Sequence, residues 1–147
     1  MEKAFWIILA LLSGAALPIQ AGLNARLGTA AQSPVYASAI SFIVGILGLL
    51  MYIAVTRQTL SLQGVRDMPF YLWVGGLLGA FYVTAIVLLF PRLGAGLTFG
   101  LVVAGQMVVS ILLDHYNILV AQQTPISYMK IVGIALVVVG VVIIRKY

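Results

Sequence analysis

Cysteine is absent from this 147-residue chain, which excludes a disulfide framework, a thiolate metal site and a thiol nucleophile. Charge is nearly as scarce. Only 7% of the residues are charged, against roughly 25% in soluble domains. The acids are Glu2, Asp67 and Asp114, and none stands in the middle of an apolar run. The single histidine, His115, has one acid beside it, too few ligands for a metal site and no Ser/His/Asp spacing for a hydrolase. Gly94-Ala95-Gly96 opens a helix and does not have the spacing of a phosphate loop. No catalytic constellation exists, and neither an enzyme nor a bound cofactor is expected.

Apolar length is what the chain has in abundance. Hydrophobic residues make up 63% of it, more than a soluble core can hide, so an all-α polytopic membrane protein is the expected class. Five segments reach the roughly 20 residues that a crossing needs: about 4–27, 35–56, 70–90, 94–116 and 127–144. Ser33-Pro34 supplies an N-cap and a first helical position for the second. Asp67-Met68-Pro69, Pro91-Arg92-Leu93 and Thr124-Pro125 precede the remaining three. The longest connection, Arg57–Pro69, carries Arg57, Arg66 and Asp67 and should be partly ordered at the membrane surface. No linker separates two domains, so one transmembrane domain over 1–147 is expected. The first apolar run continues through Pro18-Ile19-Gln20 without a cleavage site behind a short apolar region, which reads as a retained span.

The formal net charge of +5 comes from basic residues scattered singly at the ends of these segments. That distribution suits lipid headgroups and not nucleic acid. With five spans the termini lie on opposite sides. Lys3, Arg57, Arg66 and Lys130 then share one side, and Arg26, Arg92, Arg145 and Lys146 the other. An equal division gives the positive-inside rule nothing to act on. Either another signal orients the chain, or copies insert both ways and pair antiparallel. The second arrangement supplies the inverted repeat that larger transporters carry in one chain.

Polar groups at membrane depth are costly unless they face protein or a wet cavity. Ser13, Gln20 and Asn24 fall within about 40° of one another on the first helix, given its 3.6-residue period. Pro18 cannot donate a hydrogen bond and clashes with the carbonyl of Gly14, so it should kink the helix and free that carbonyl. Amides beside a freed carbonyl suit a polar ligand at mid-membrane, although the same amides serve equally to bond neighbouring helices. Arg26 reads as a snorkelling anchor. Tyr82 lies deep in the third span, where its hydroxyl needs a partner. Phe99, Gln106 and Ser110 share a stripe of the fourth. A pathway lined by Ser13, Gln20, Asn24, Tyr82, Phe99, Gln106 and Ser110 has aromatic walls and amide handles, which suits a small organic solute better than a bare ion. Asp114, in the last turns of the fourth span, is the only candidate for proton coupling; its alternative role is a boundary residue paired with Lys130 or an arginine. Small residues mark close helix approaches: Gly75 with Gly79, Gly76 with Ala80, the face Ser38, Ser41, Gly45 and Gly48, and the stripe Gly133 and Gly140. The last stripe is expected to be a dimer seam, although packing within one chain would leave the same marks.

The five-span layout, Pro18-Ile19-Gln20-Ala21-Gly22-Leu23-Asn24, and Pro91-Arg92-Leu93-Gly94-Ala95 through Gly105-Gln106 to Asp114 resemble the YdcZ-like family of the drug/metabolite transporter superfamily. The resemblance covers essentially the whole chain. From Phe70 onward the chain is also similar to the last three helices of the small multidrug resistance exporters. There a proline-containing turn precedes the pathway-lining helix, and a glycine pair seven apart marks the dimer helix; Gly133 and Gly140 match that pair. The resemblance implies a half-size transporter of the bacterial inner membrane that pairs in inverted orientation, with some members of dual topology. One departure stands out. Those exporters carry a glutamate in the first helix that binds protons and cationic drugs, whereas this chain has Gln20 and Asn24 and no acid there. Proton antiport of cations is therefore not carried over, and a neutral or anionic organic solute, or a facilitated pathway, fits better. The expectation is an antiparallel homodimer in the lipid bilayer that moves a small organic metabolite by alternating access. Two rivals are a non-transporting subunit that stabilises a larger complex and a lipid translocator with a lateral opening along the first helix.

Overall fold

The computed structural model describes residues 2–147, the side chain of Leu62 aside. Among the described residues there is no strand. Five α-helices follow one another: α1 (Glu2–Ala30), α2 (Pro34–Thr56), α3 (Leu62–Arg66), α4 (Val74–Tyr116) and α5 (Tyr128–Lys146), with a 3-10 turn at Phe70–Trp73 before α4. The chain forms two compact units, Met1–Pro91 and Arg92–Tyr147.

The first unit is built on a helical hairpin. At the end of α1, Gln32 takes a left-handed conformation (φ 53°), and the Ser33 N–H closes back on the Gly28 carbonyl at 3.0 Å. Ser33 then starts α2: its side chain accepts from the Tyr36 N–H, and Pro34 occupies the first turn, where a missing N–H costs nothing. Arg57, left-handed at φ 51°, ends α2. The segment 74–93 of α4 packs against both helices of the hairpin. Gly22 faces the Phe90 ring, Gly79 faces the Phe42 ring, and a Cβ on Gly28 would lie 3.0 Å from Val87 Cγ1. α1 runs unbroken through Pro18, so the proline removes one backbone bond without ending the helix. The connection after α2 is ordered as expected, by α3 with its Ser61 cap and by the 3-10 turn.

Among the described residues, four helical stretches are long and apolar enough to cross a membrane, and one of them, Phe70–Tyr116, has 47 residues. At about 1.5 Å per residue this is more than twice the thickness of a hydrocarbon core. Pro91-Arg92-Leu93, read from sequence as a connection, is helical; the only departure from helical geometry within α4 is Gly94 (φ 76°, ψ 168°). That conformation is essentially restricted to glycine. It divides α4 into segments 74–93 and 95–116, each close to the roughly 20 residues of a crossing.

In the second unit, segment 95–116 meets α5 through small residues. A Cβ on Gly100 would stand 2.9 Å from Val141 Cγ2, and one on Gly96 would stand 3.3 Å from Ile144 Cγ2. Gly133 and Gly140, by contrast, have nothing within 4 Å of where a Cβ would sit. Ser127 caps α5 by accepting from the Lys130 N–H. The loop between α4 and α5 is pinned to the end of α4. Thr124 Oγ1 donates to Asp114 Oδ2 at 2.8 Å, Lys130 Nζ lies 3.6 Å from the same oxygen, Gln123 donates to the His115 carbonyl, and the Ile126 N–H donates to His115 Nδ1. Within the chain, at most 11% of the apolar window of any spanning stretch is buried. Most of its hydrophobic surface is therefore left for lipid or for other protein.

Candidate functional site

α1 and α2 are joined by a three-residue turn centred on Gln32, so the two helices run back along each other, and Asn24 of α1 meets Ser41 of α2. Asn24 is buried at 7% exposure, and its Nδ2 donates to Ser41 Oγ at 3.2 Å. One helical turn further from the bend, Gln20 of α1 and Gly45 of α2 border the same cleft. The glycine leaves space there, with no atom within 4 Å of an added Cβ.

Two clefts open beside this row. The smaller, of about 260 Å³, lies between α1, α2 and segment 74–93, and is bordered by Gln20, Ser41, Phe42, Gly45 and Val83 among others. The larger, of about 430 Å³, runs along α1 and α2. Gln20, Asn24 and Ser41 are its polar members, and the rest of its wall is alanine and aliphatic side chains such as Ile19, Leu23 and Val44. Gln20 and Ser41 border both, so they form the polar divide between two apolar spaces. No charged side chain lines either cleft. The larger volume falls within the roughly 300–1,000 Å³ of small-molecule sites, and the composition, mostly apolar with a few convergent polar groups, is that of such sites.

The residues expected to line a pathway are distributed as follows. Gln20 and Asn24 come together at the clefts. Ser13 does not join them: it is exposed and donates to the Leu9 carbonyl of its own helix at 2.8 Å. Tyr82, half-buried, lines neither cleft, and its buried hydroxyl has no hydrogen-bond partner among the described residues. Phe99, Gln106 and Ser110 belong to the second unit, with Phe99 half-buried and Gln106 and Ser110 exposed. Asp114 is held in the Thr124–Lys130 clasp. Pro18 lies inside α1 two residues before Gln20. Thr98, 1% exposed, also keeps an unpartnered hydroxyl.

Ser41 and Phe42 were not singled out as site residues from sequence. Ser41 appeared there only as one of several small residues on a helix face. The hairpin narrows the search without fixing it: a helix stop and a Ser-Pro start three residues apart place Asn24 opposite residues near 40 and 41 of α2. Among the described residues, no group of three or more His, Asp or Glu side chains is placed to hold a metal ion.

A family model described as "Putative inner membrane exporter, YdcZ" matches residues 5–143. No curated protein sequence and no solved structure gives a significant match.

Proposed function

This chain belongs to the YdcZ family, and from that membership we propose that it is a half-size transporter that moves a small organic solute by alternating access. The observation that carries the reading is the pair of clefts divided by Gln20 and Ser41, apolar in wall and free of charge. A carboxamide can donate and accept at once, so Gln20 can hold a polar group of either sense while the aliphatic walls take up the remainder of the molecule. On the same reading Phe99, Gln106 and Ser110 are the solute-contacting residues of the second unit. Segments 74–93 and 95–116 count as separate crossings, which gives five.

The proposed working form is two copies inserted in opposite orientations in a bacterial inner membrane. The even division of basic residues supports it, as does the open stripe at Gly133 and Gly140, which no side chain among the described residues fills. An inverted pair supplies the symmetry about the membrane plane on which alternating access rests.

The test is a ligand screen. The purified protein in lipid nanodiscs is assayed by thermal shift against a metabolite library, then with Gln20→Leu and Gln106→Leu. Both variants should assemble normally and lose the stabilisation given by any hit. Two variants that bind as the parent does would make the amides packing groups and remove the proposed site.

One feature favours a second reading, lipid translocation. Ile19 and Leu23, on the wall of the larger cleft, remain 67% and 64% exposed, so that cleft presents apolar side chains outward along α1. Scrambling of a fluorescent phospholipid in proteoliposomes distinguishes the two: lipid movement without metabolite binding selects translocation.

A further inference from the structure

We infer that Ser41, held by Asn24, is the hydrogen-bond donor that selects the solute, and that the solute is an uncharged amphiphile with an acceptor such as a carbonyl set between two apolar arms. This deepens the transport reading and rests on it.

A serine or threonine inside a helix ordinarily turns its O–H to the carbonyl one turn back. In α1 and α2, Ser13 donates to the Leu9 carbonyl, Thr29 to Ala25, Ser38 to Pro34 and Thr56 to Tyr52, at 2.8, 3.2, 2.8 and 2.7 Å. Ser41 is the exception among the serines and threonines of these two helices. It accepts from Asn24 Nδ2, and its own proton goes to no acceptor among the described residues. The Asn24 bond turns the Ser41 oxygen toward α1 and away from its own backbone. The free proton is therefore presented at the wall common to both clefts. An unspent donor in an apolar setting is costly unless something accepts from it. A solute acceptor at the divide fills that role.

The class of solute follows from what surrounds this donor. Neither cleft has a charged side chain in its lining, and an ion moved there from water would lose hydration without a countercharge. A neutral molecule escapes that penalty. Because Gln20 and Ser41 border both spaces, a molecule anchored at them extends one way into the smaller cleft, against Phe42 and Val83, and the other way along Leu23 and Val44. Its polar atom is central and its two arms are apolar. Asn24 is here a positioning residue, acting through Ser41.

The experiment uses N-butylbenzamide, which has a carbonyl between two apolar arms, and two charged molecules of similar size, N-butylbenzylammonium and 4-butylbenzoate. Binding to the protein in phosphatidylcholine nanodiscs is titrated by saturation-transfer NMR, with empty nanodiscs as the blank. The amide should bind at least about ten-fold more tightly than either ion. Ser41→Ala should weaken the amide about five- to ten-fold, the loss of one neutral hydrogen bond; because it also removes the acceptor of the buried Asn24 amide, it should lower the melting temperature of the unliganded protein while leaving the protein folded at the temperature of the titration. Asn24→Ala should weaken it to a similar degree, and the Asn24→Ala/Ser41→Ala double variant no further, because the two substitutions remove one and the same contact. Losses that multiply in the double variant overturn the positioning role of Asn24. Equal or tighter binding of either ion, or binding of none of the three probes, overturns the solute class. If Ser41→Ala binds like the parent while Gln20→Leu does not, this inference fails and the proposed site stands. If both bind like the parent, the site itself fails.

Discussion

Gly45 and Gly100 show that the absence of a Cβ can serve opposite ends. Gly45 borders the smaller cleft and has no atom within 4 Å of an added Cβ. Its smallness keeps space empty. Gly45→Leu should therefore fold as well as the parent and fill the cleft, abolishing ligand-induced stabilisation while the melting temperature of the unliganded protein stays within a degree or two. Gly100 does the reverse: its smallness lets a neighbour come close. An alanine there would place Cβ 2.9 Å from Val141 Cγ2. Val141 is buried and β-branched, so it cannot swing aside without leaving its rotamer. Gly100→Ala should cost about 1–3 kcal/mol, read as a lower midpoint in a denaturant titration of the protein in micelles. An unchanged midpoint would remove the close approach of segment 95–116 to α5. Neither role is visible in the sequence, because spacing identifies a small residue and the helical face it lies on, but not whether a neighbour stands opposite. The same limit explains why Gly133 and Gly140 were legible as a stripe while Gly96 and Gly100, which meet α5, were passed over.

At the scale of elements, the starts of helices were the most legible feature and the division of α4 the least. Ser33-Pro34 declares the beginning of α2 through an oxygen that accepts an orphan N–H and a residue that needs no acceptor of its own. Ser127 supplies the same kind of oxygen for α5, accepting from the Lys130 N–H. Proline is a weaker signal inside apolar sequence. Pro18 and Pro91 both lie within helices: each forfeits a single backbone bond, and flanking turns hold the helix together. The actual break in α4 falls at Gly94, where φ is 76° and ψ is 168°. With no side chain in reach of a Cβ there, the penalty for Gly94→Ala is purely that of the backbone, about 1–3 kcal/mol. Gly105, helical and equally unobstructed, is its control: alanine at 105 should be neutral or slightly stabilising, since alanine favours helix over glycine. Equal midpoints for the two variants would mean that α4 is not interrupted at 94. The α1–α2 hairpin lies between these extremes. Its two helices and its turn were readable, but which residue of α2 meets Asn24 was not: symmetry about Gln32 points to Ile40, one residue short of Ser41. The clefts beside it depend on how α1, α2 and segment 74–93 pack, which residue types alone do not specify.

For the whole molecule, composition was enough to place the chain in a membrane, and charge was enough to pose the question of its orientation. Counting segments 74–93 and 95–116 as two crossings leaves four basic residues on each side: Lys3, Arg57, Arg66 and Lys130 against Arg26, Arg92, Arg145 and Lys146. Lys and Arg near the ends of spans decide orientation, so an even balance should let each new copy insert either way. Because the chain contains no cysteine, single cysteines placed at Lys3 and at Tyr147 report on this directly: each should react with a membrane-impermeant maleimide on both faces of the membrane. The balance can also be tipped. Arg57→Gln with Arg66→Gln removes two charges from one side, and Arg145→Gln with Lys146→Gln removes two from the other. Each pair should drive the population into a single orientation, and the two orientations should be opposite. If the working unit is an inverted pair, either variant alone should lose transport, and co-expression of the two should restore it. Labelling from one face only in the parent protein, or full transport by either variant alone, would show that a single orientation suffices.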